Sequence, residues 1–187
     1  DANQIWMVSP RGNGIFCYNY GNSIDALNDD QWKYIRSGIG LGNLPSNNVY
    51  CLAKDKNGLL WIGTDKGIAV IQCVNEIFTQ SCDAIKPIVQ QGAFAGFLFQ
   101  DEEVQCIAVD GANRKWIGTK KGLWLVSADG DKIIYQFTEE NSPLLSNDVK
   151  QLTIHPTTGE VFIATFKGIC SFRSTATEGG LTNENVL

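Results

Sequence analysis

An eight-residue string, Trp61-Ile62-Gly63-Thr64-Asp65-Lys66-Gly67-Ile68, returns as Trp116-Ile117-Gly118-Thr119-Lys120-Lys121-Gly122-Leu123, and this repetition constrains the fold more than any other feature. A weaker copy follows at Phe162-Ile163-Ala164-Thr165-Phe166-Lys167-Gly168-Ile169. Trp6-Met7-Val8-Ser9 with Gly14-Ile15-Phe16 forms a fourth copy whose turn is longer by two residues. The anchors Trp6, Trp61, Trp116 and Phe162 are thus 55, 55 and 46 residues apart. A group needed for turnover is required once, whereas a packing group is required in every unit. Recurrence therefore marks the anchors as fillers of the space between units, with Gly63 and Gly118 letting adjacent sheets approach.

Each later anchor is preceded by a β-branched block: Asn48–Asp55, Glu103–Asp110 and Asp148–His155. Turn chemistry separates block from anchor, at Lys56-Asn57-Gly58, Gly111-Ala112-Asn113 and Pro156-Thr157-Thr158-Gly159. Lys66-Gly67, Lys121-Gly122 and Lys167-Gly168 then turn the chain into a third strand. A fourth strand is predicted over Gln31–Ile35 and Lys132–Phe137. Four antiparallel strands repeated at this spacing match the blade of an all-β β-propeller, since solenoid coils are usually shorter. The expected organisation is about three and a half blades of a partial propeller, with blade parts at 1–37, 44–100, 103–138 and 145–174, and a tail or linker at 175–187. The first copy starts at its anchor strand and the last stops after its third strand, which suggests a segment of a larger protein. Open edges and an uncovered blade face should then drive self-association.

A net charge of −5 with scattered basic residues argues against nucleic acid as a partner, and no apolar run is long enough for direct membrane insertion. Cys51 and Cys106 occupy equivalent places in successive units and read, with Cys17 and Cys170, as small buried apolar residues. Cys73 and Cys82 bracket a segment outside the repeat, where a disulfide and two free thiols both fit. No metal ligand set, cofactor motif or catalytic constellation emerges, so no enzyme activity is expected. His155 takes the place of Asp55 and Asp110 as a turn residue, and Glu102-Glu103 and Glu139-Glu140 read as solvated surface. The segment Gln90–Phe99 is read as a core strand of the second blade. Tyr18, Tyr20, Trp32 and Tyr34 could form a platform or pack a sheet.

Asp55-Lys56-Asn57-Gly58-Leu59-Leu60-Trp61 resembles the Asp-box hairpin of sialidase propellers, a structural motif. Leu44-Pro45-Ser46-Asn47-Asn48-Val49, continuing through Asp55-Lys56-Asn57-Gly58 to the Trp61 string, resembles the two-component regulator propeller repeat of sensor kinases in Bacteroidetes. Val109–Trp116, Leu125–Gly130, Phe137–Asn147 and Arg173–Gly180 are similar to the PorZ-like propeller proteins of the type IX secretion system. The likeness implies a non-enzymatic scaffold, periplasmic or at the outer-membrane surface, with protein partners of a secretion or signalling complex. The alternative it leaves is an extracytoplasmic sensor domain with a glycan ligand.

Overall fold

The structure, a computed structural model, describes residues 3–91 and 94–173. All regular elements among them are strands, because the apolar pattern alternates with period two between glycine- and asparagine-rich turns. The first sheet holds β1 (Gln4–Val8), β2 (Ile15–Asn19) and β3 (Gln31–Ile35) in that order. The second holds β4 (Val49–Lys54), β5 (Leu60–Thr64) and β6 (Gly67–Ile71), followed by a separate hairpin of β7 (Ile88–Gln91) and β8 (Phe94–Phe97). The third holds β9 (Val104–Val109), β10 (Lys115–Thr119), β11 (Gly122–Val126) and β12 (Ile133–Phe137). The last holds β13 (Val149–Ile154), β14 (Glu160–Thr165) and β15 (Gly168–Arg173). All pairings are antiparallel, and the architecture is a partial β-propeller.

Three apolar clusters join successive sheets by one rule: the face carrying the anchor packs on the opposite face of the next sheet. Trp6, Ile15, Cys17 and Ile35 meet Leu52, Leu60, Ile62, Ala69 and Ile71 of the second sheet. Trp61, Ile68 and Val70 meet Ile107, Ile117, Trp124 and Val126 of the third. Trp116, Leu123, Leu125 and Phe137 meet Leu152, Val161, Ile163 and Cys170 of the fourth. Trp61 and Trp116 are fully buried, whereas Trp6 is half-buried and Phe162 is exposed. Phe162 lies on the anchor face of the last described sheet, which no later described sheet covers. The side chains of Phe16, Trp32 and Tyr34 cluster on the opposite face of the first sheet, the kind of face that packs on a preceding sheet elsewhere in the molecule.

The glycine two residues after each tryptophan marks the closest approach. A Cβ on Gly63 would lie 2.5 Å from Cys51 Sγ and 2.7 Å from Val104 Cγ1 of the next sheet. On Gly118 it would lie 2.4 Å from Cys106 Sγ and 2.6 Å from Val149 Cγ1. Threonine and glycine close the anchor turn three times over. Thr64, Thr119 and Thr165 each donate their hydroxyl to the carbonyl of Gly67, Gly122 and Gly168, and each accepts the backbone N–H two residues on. Those glycines have φ of +102°, +128° and +141°, which side chains avoid.

One expectation is corrected. Among the described residues the fourth-strand position of the second sheet is taken by a single bridge between Val70 and Ile85. Gln90–Phe99 does not enter that sheet as a core strand: its strands pair with each other, and Leu98 and Phe99 after them carry the burial. The physical cause is the segment between β6 and Ile85. Cys73 and Cys82 form a disulfide across it, and Ile77 within it is fully buried between the first two sheets. The Ile77 carbonyl accepts Lys33 Nζ at 2.9 Å, and Asp83 accepts the N–H groups of Gly40 and Gly42 at 2.8 and 3.0 Å. The segment thus clamps the first sheet to the second instead of continuing the ladder. The predicted tail at 175–187 lies outside the described residues.

Replacing both Cys73 and Cys82 by serine should cost about 2–3 kcal/mol, as expected for a short closed loop. Amide exchange should accelerate at Gly40, Gly42 and Ala84 while the third sheet keeps its protection. Uniform acceleration in all sheets would show that the disulfide does not act through this clamp.

Candidate functional site

Asp55 ties its own turn and reaches the next sheet. Its Oδ1 accepts the N–H groups of Asn57 and Leu59, both at 2.9 Å, which ties the β4–β5 turn. Its Oδ2 accepts the Trp61 indole N–H at 3.0 Å and Lys115 Nζ, from β10 of the next sheet, at 2.9 Å. Lys115 is fully buried, also donates to the carbonyls of Asn113 and Ala128, and stands 4.6 Å from the Trp61 ring centroid. Burial alone raises the Asp55 pKa, but the hydrogen bonds from Lys115, Trp61 and Leu59 outweigh it and hold the carboxyl below its ordinary range. Asp110 repeats the turn, accepting from Ala112, Arg114 and the Trp116 indole. His155 substitutes in the last sheet, its Nδ1 accepting the Thr158 N–H at 3.2 Å. These residues bind turns and sheets together.

The thiols are placed for packing as well. Burial pushes Cys17, Cys51 and Cys106 up to about 12, so they stay protonated at neutral pH and make poor nucleophiles. Among the described residues, no group of three His, Cys, Asp or Glu side chains could hold a metal ion. Glu102 and Glu103, read as solvated surface, pair with Lys121 and Lys120, and Glu139 pairs with Lys167.

A polar constellation that sequence reasoning missed lies on the edge strands β4, β9 and β13, of which β4 and β13 each pack beside β9. Each carries a β-bulge at its second residue. Val49 pairs Thr64 and Cys51 pairs Gly63, leaving Tyr50 extra. Val104 pairs Thr119 and Cys106 pairs Gly118, leaving Gln105. Val149 pairs Thr165 and Gln151 pairs Ala164, leaving Lys150. Gln105 Nε2 donates to Asp148 Oδ1 at 2.8 Å, Lys150 Nζ meets Asp148 Oδ2 at 2.7 Å, and Lys120 Nζ meets Glu103 Oε2 at 2.8 Å. Burial, then Glu103 and Asp65, raise the Tyr50 pKa, with Lys120 opposing, which places these charges around the phenol. The available sequence signal was that the residue after each block valine, Tyr50, Gln105 or Lys150, varies while the valine before it is kept.

The family described as two component regulator propeller matches residues 43–66. No curated protein matches the chain significantly in sequence. Among solved structures, PorZ of Porphyromonas gingivalis, described as an essential bacterial surface component of the type-IX secretion system, is similar at 27% identity and a TM-score of 0.80. The match covers 95% of this chain and 25% of PorZ, so the chain spans about a quarter of that protein's length. The extracellular domain of the hybrid two component system BT4673 of B. thetaiotaomicron shares the fold at 20% identity and a TM-score of 0.68, over 91% of this chain and 22% of that one. An ancestral GH74 enzyme shares the fold at 15% identity and a TM-score of 0.58, over 91% of this chain and 21% of that one. The buried tryptophans, the threonine-glycine turns and these matches together describe a partial β-propeller that carries a two component regulator propeller repeat and is similar to PorZ over nearly its whole length.

Proposed function

We propose that the chain is a non-enzymatic interaction scaffold, a propeller segment of a type IX secretion surface attachment protein, acting in the periplasm or at the outer-membrane surface. The observation that carries this reading is the likeness to PorZ over 95% of the chain. The disulfide between Cys73 and Cys82 fits an oxidising compartment. Asp55, Lys115, Trp61, Trp116 and the buried thiols are committed to cohesion, which favours binding over turnover. The partners would be proteins of the secretion complex.

Capture from cross-linked cells of the parent organism tests the reading. Recovery of secretion components with this chain is the expected result. Recovery of a histidine kinase on the same polypeptide would replace it with the sensor reading, which the propeller repeat at 43–66 supports.

A further inference from the structure

We infer that the cleft at the foot of the β7–β8 hairpin docks a carboxylate-bearing, apolar peptide segment of a protein partner. The inference rests on the scaffold reading and names the chemistry by which a partner is held. The cleft has a volume of about 190 Å³ and is lined by Pro45, Lys66, Ile68, Lys86, Phe97 and Leu98. It exists because Ile85 makes only a single bridge to β6, after which the chain leaves the sheet as a hairpin of its own. The Leu98 N–H bonds the Pro87 carbonyl at 2.8 Å, and the Gly67 N–H bonds the Glu102 carbonyl at 2.9 Å, which fixes the foot of the hairpin and the anchor turn.

Three anchor turns carry a lysine before their glycine, and in two of them it has a carboxylate partner. Lys121 pairs with Glu102, and Lys167 pairs with Glu139 at 2.6 Å. The N–H of Glu139 donates to Asn147 Oδ1 at 2.8 Å, and the N–H of Ser37 donates to Asn47 Oδ1 at the same distance, so a serine stands where the acid would be. Lys66 accordingly forms no ion pair among the described residues, and neither does Lys86. The adjacent Asp65 accepts Asn48 Nδ2 at 2.8 Å instead. A solvated lysine needs no partner. Two that line one cleft over an apolar floor, with Asp101 as the carboxylate beside them, leave one positive charge in excess in a chain of net charge −5.

The apolar lining selects what carries the matching charge. Phe97 is 46% exposed, with Lys86 Nζ 5.8 Å from its ring centroid, and Ile68 and Leu98 are buried. A small inorganic anion would meet the lysines and leave Phe97 bare, whereas a wholly apolar segment would strand both ammonium groups. An acidic side chain between aliphatic or aromatic neighbours uses both parts of the cleft.

Fluorescence anisotropy of the intact chain with a short labelled peptide, one glutamate between leucine and phenylalanine, tests the assignment. Saturable binding that weakens with added salt is expected. Affinity should fall about fivefold in Lys66→Gln and in Lys86→Gln, and by a similar factor in Phe97→Ala. Ser37→Glu should also weaken it, by giving Lys66 the internal partner that Lys167 has in Glu139. Lys132→Gln, at an exposed lysine of the third sheet, should bind as the parent does. Thermal melting checks that each variant is folded. No saturation, equal binding of the peptide with glutamine in place of glutamate, or unchanged affinity in the double variant Lys66→Gln/Lys86→Gln would overturn the proposal. So would saturable binding of octanoate in place of the peptide, which would make the cleft a site for small acids. The titration needs no secretion component, so its failure removes the cleft and leaves the scaffold reading standing. Failed capture from cells with peptide binding intact would remove the secretion assignment alone.

Discussion

Asp55→Ala should lower the stability of the chain by about 3–5 kcal/mol, the cost of leaving a buried ammonium without its counter-ion. Lys115 has no exposure through which to recover water, and its remaining partners are two neutral carbonyls and the Trp61 ring. The same change removes the acceptor of the Trp61 indole and of two turn amides. Lys115→Met should cost less, because the Asp55 carboxylate keeps those three donors. A double-mutant cycle with Asp55→Asn and Lys115→Met, followed by urea unfolding, should show a large coupling between the two sites. Coupling below about 1 kcal/mol, the range of an exposed pair, would mean that the pair is not dry.

Acid titration gives an independent readout with a definite sign. The folded-state pKa of Asp55 is held below its ordinary value, so the carboxylate binds fewer protons folded than unfolded. Its contribution is therefore complete above the unfolded value of about 4 and is lost as pH falls through the lower folded value. This acid limb should be smaller in Asp55→Asn.

The second large effect separates anchors that share a sequence position. Trp116→Ala should cost about 3–5 kcal/mol, and Phe162→Ala no more than about 1 kcal/mol. Trp116 is fully buried, with Phe137 stacked at 5.9 Å between ring centroids and Phe172 of the last sheet at 5.7 Å. Phe162 occupies the same repeat position but lies on a face that no later described sheet covers. Equal losses on thermal unfolding would show that an anchor draws its cohesion from its own sheet.

Local chemistry made much of the molecule readable in advance. The strands β4–β6, β9–β12 and β13–β15 follow from alternating apolar residues between turn residues, and both the pattern and the turns lie within a few positions of one another. The threonine-glycine closure is legible for the same reason, since donor and acceptor are three residues apart. The recurrence of tryptophan was enough to argue for packing, because a repeated residue meets a repeated environment. The resemblance to a known hairpin marked Asp55 as a structural turn residue, and its bond to the Trp61 indole came only with the structure.

What escaped the sequence depends on residues distant along the chain. Gln90–Phe99 is apolar enough for a core strand, yet Ile85, which follows the Cys73–Cys82 segment, takes the place beside Val70 of β6, and β7 and β8 pair with each other. The bulges at Tyr50, Gln105 and Lys150 are matters of register, fixed only when two strands are laid side by side.

The sequence by itself determined the repeating unit, its strand order and its turns, because those are set by neighbours within a hairpin. Only the tertiary structure decided that Lys115 is buried against Asp55, 60 residues away, and that one anchor is bare while another is sealed. Identical local instructions give different burial according to which sheet lies opposite, and that partner is chosen in space.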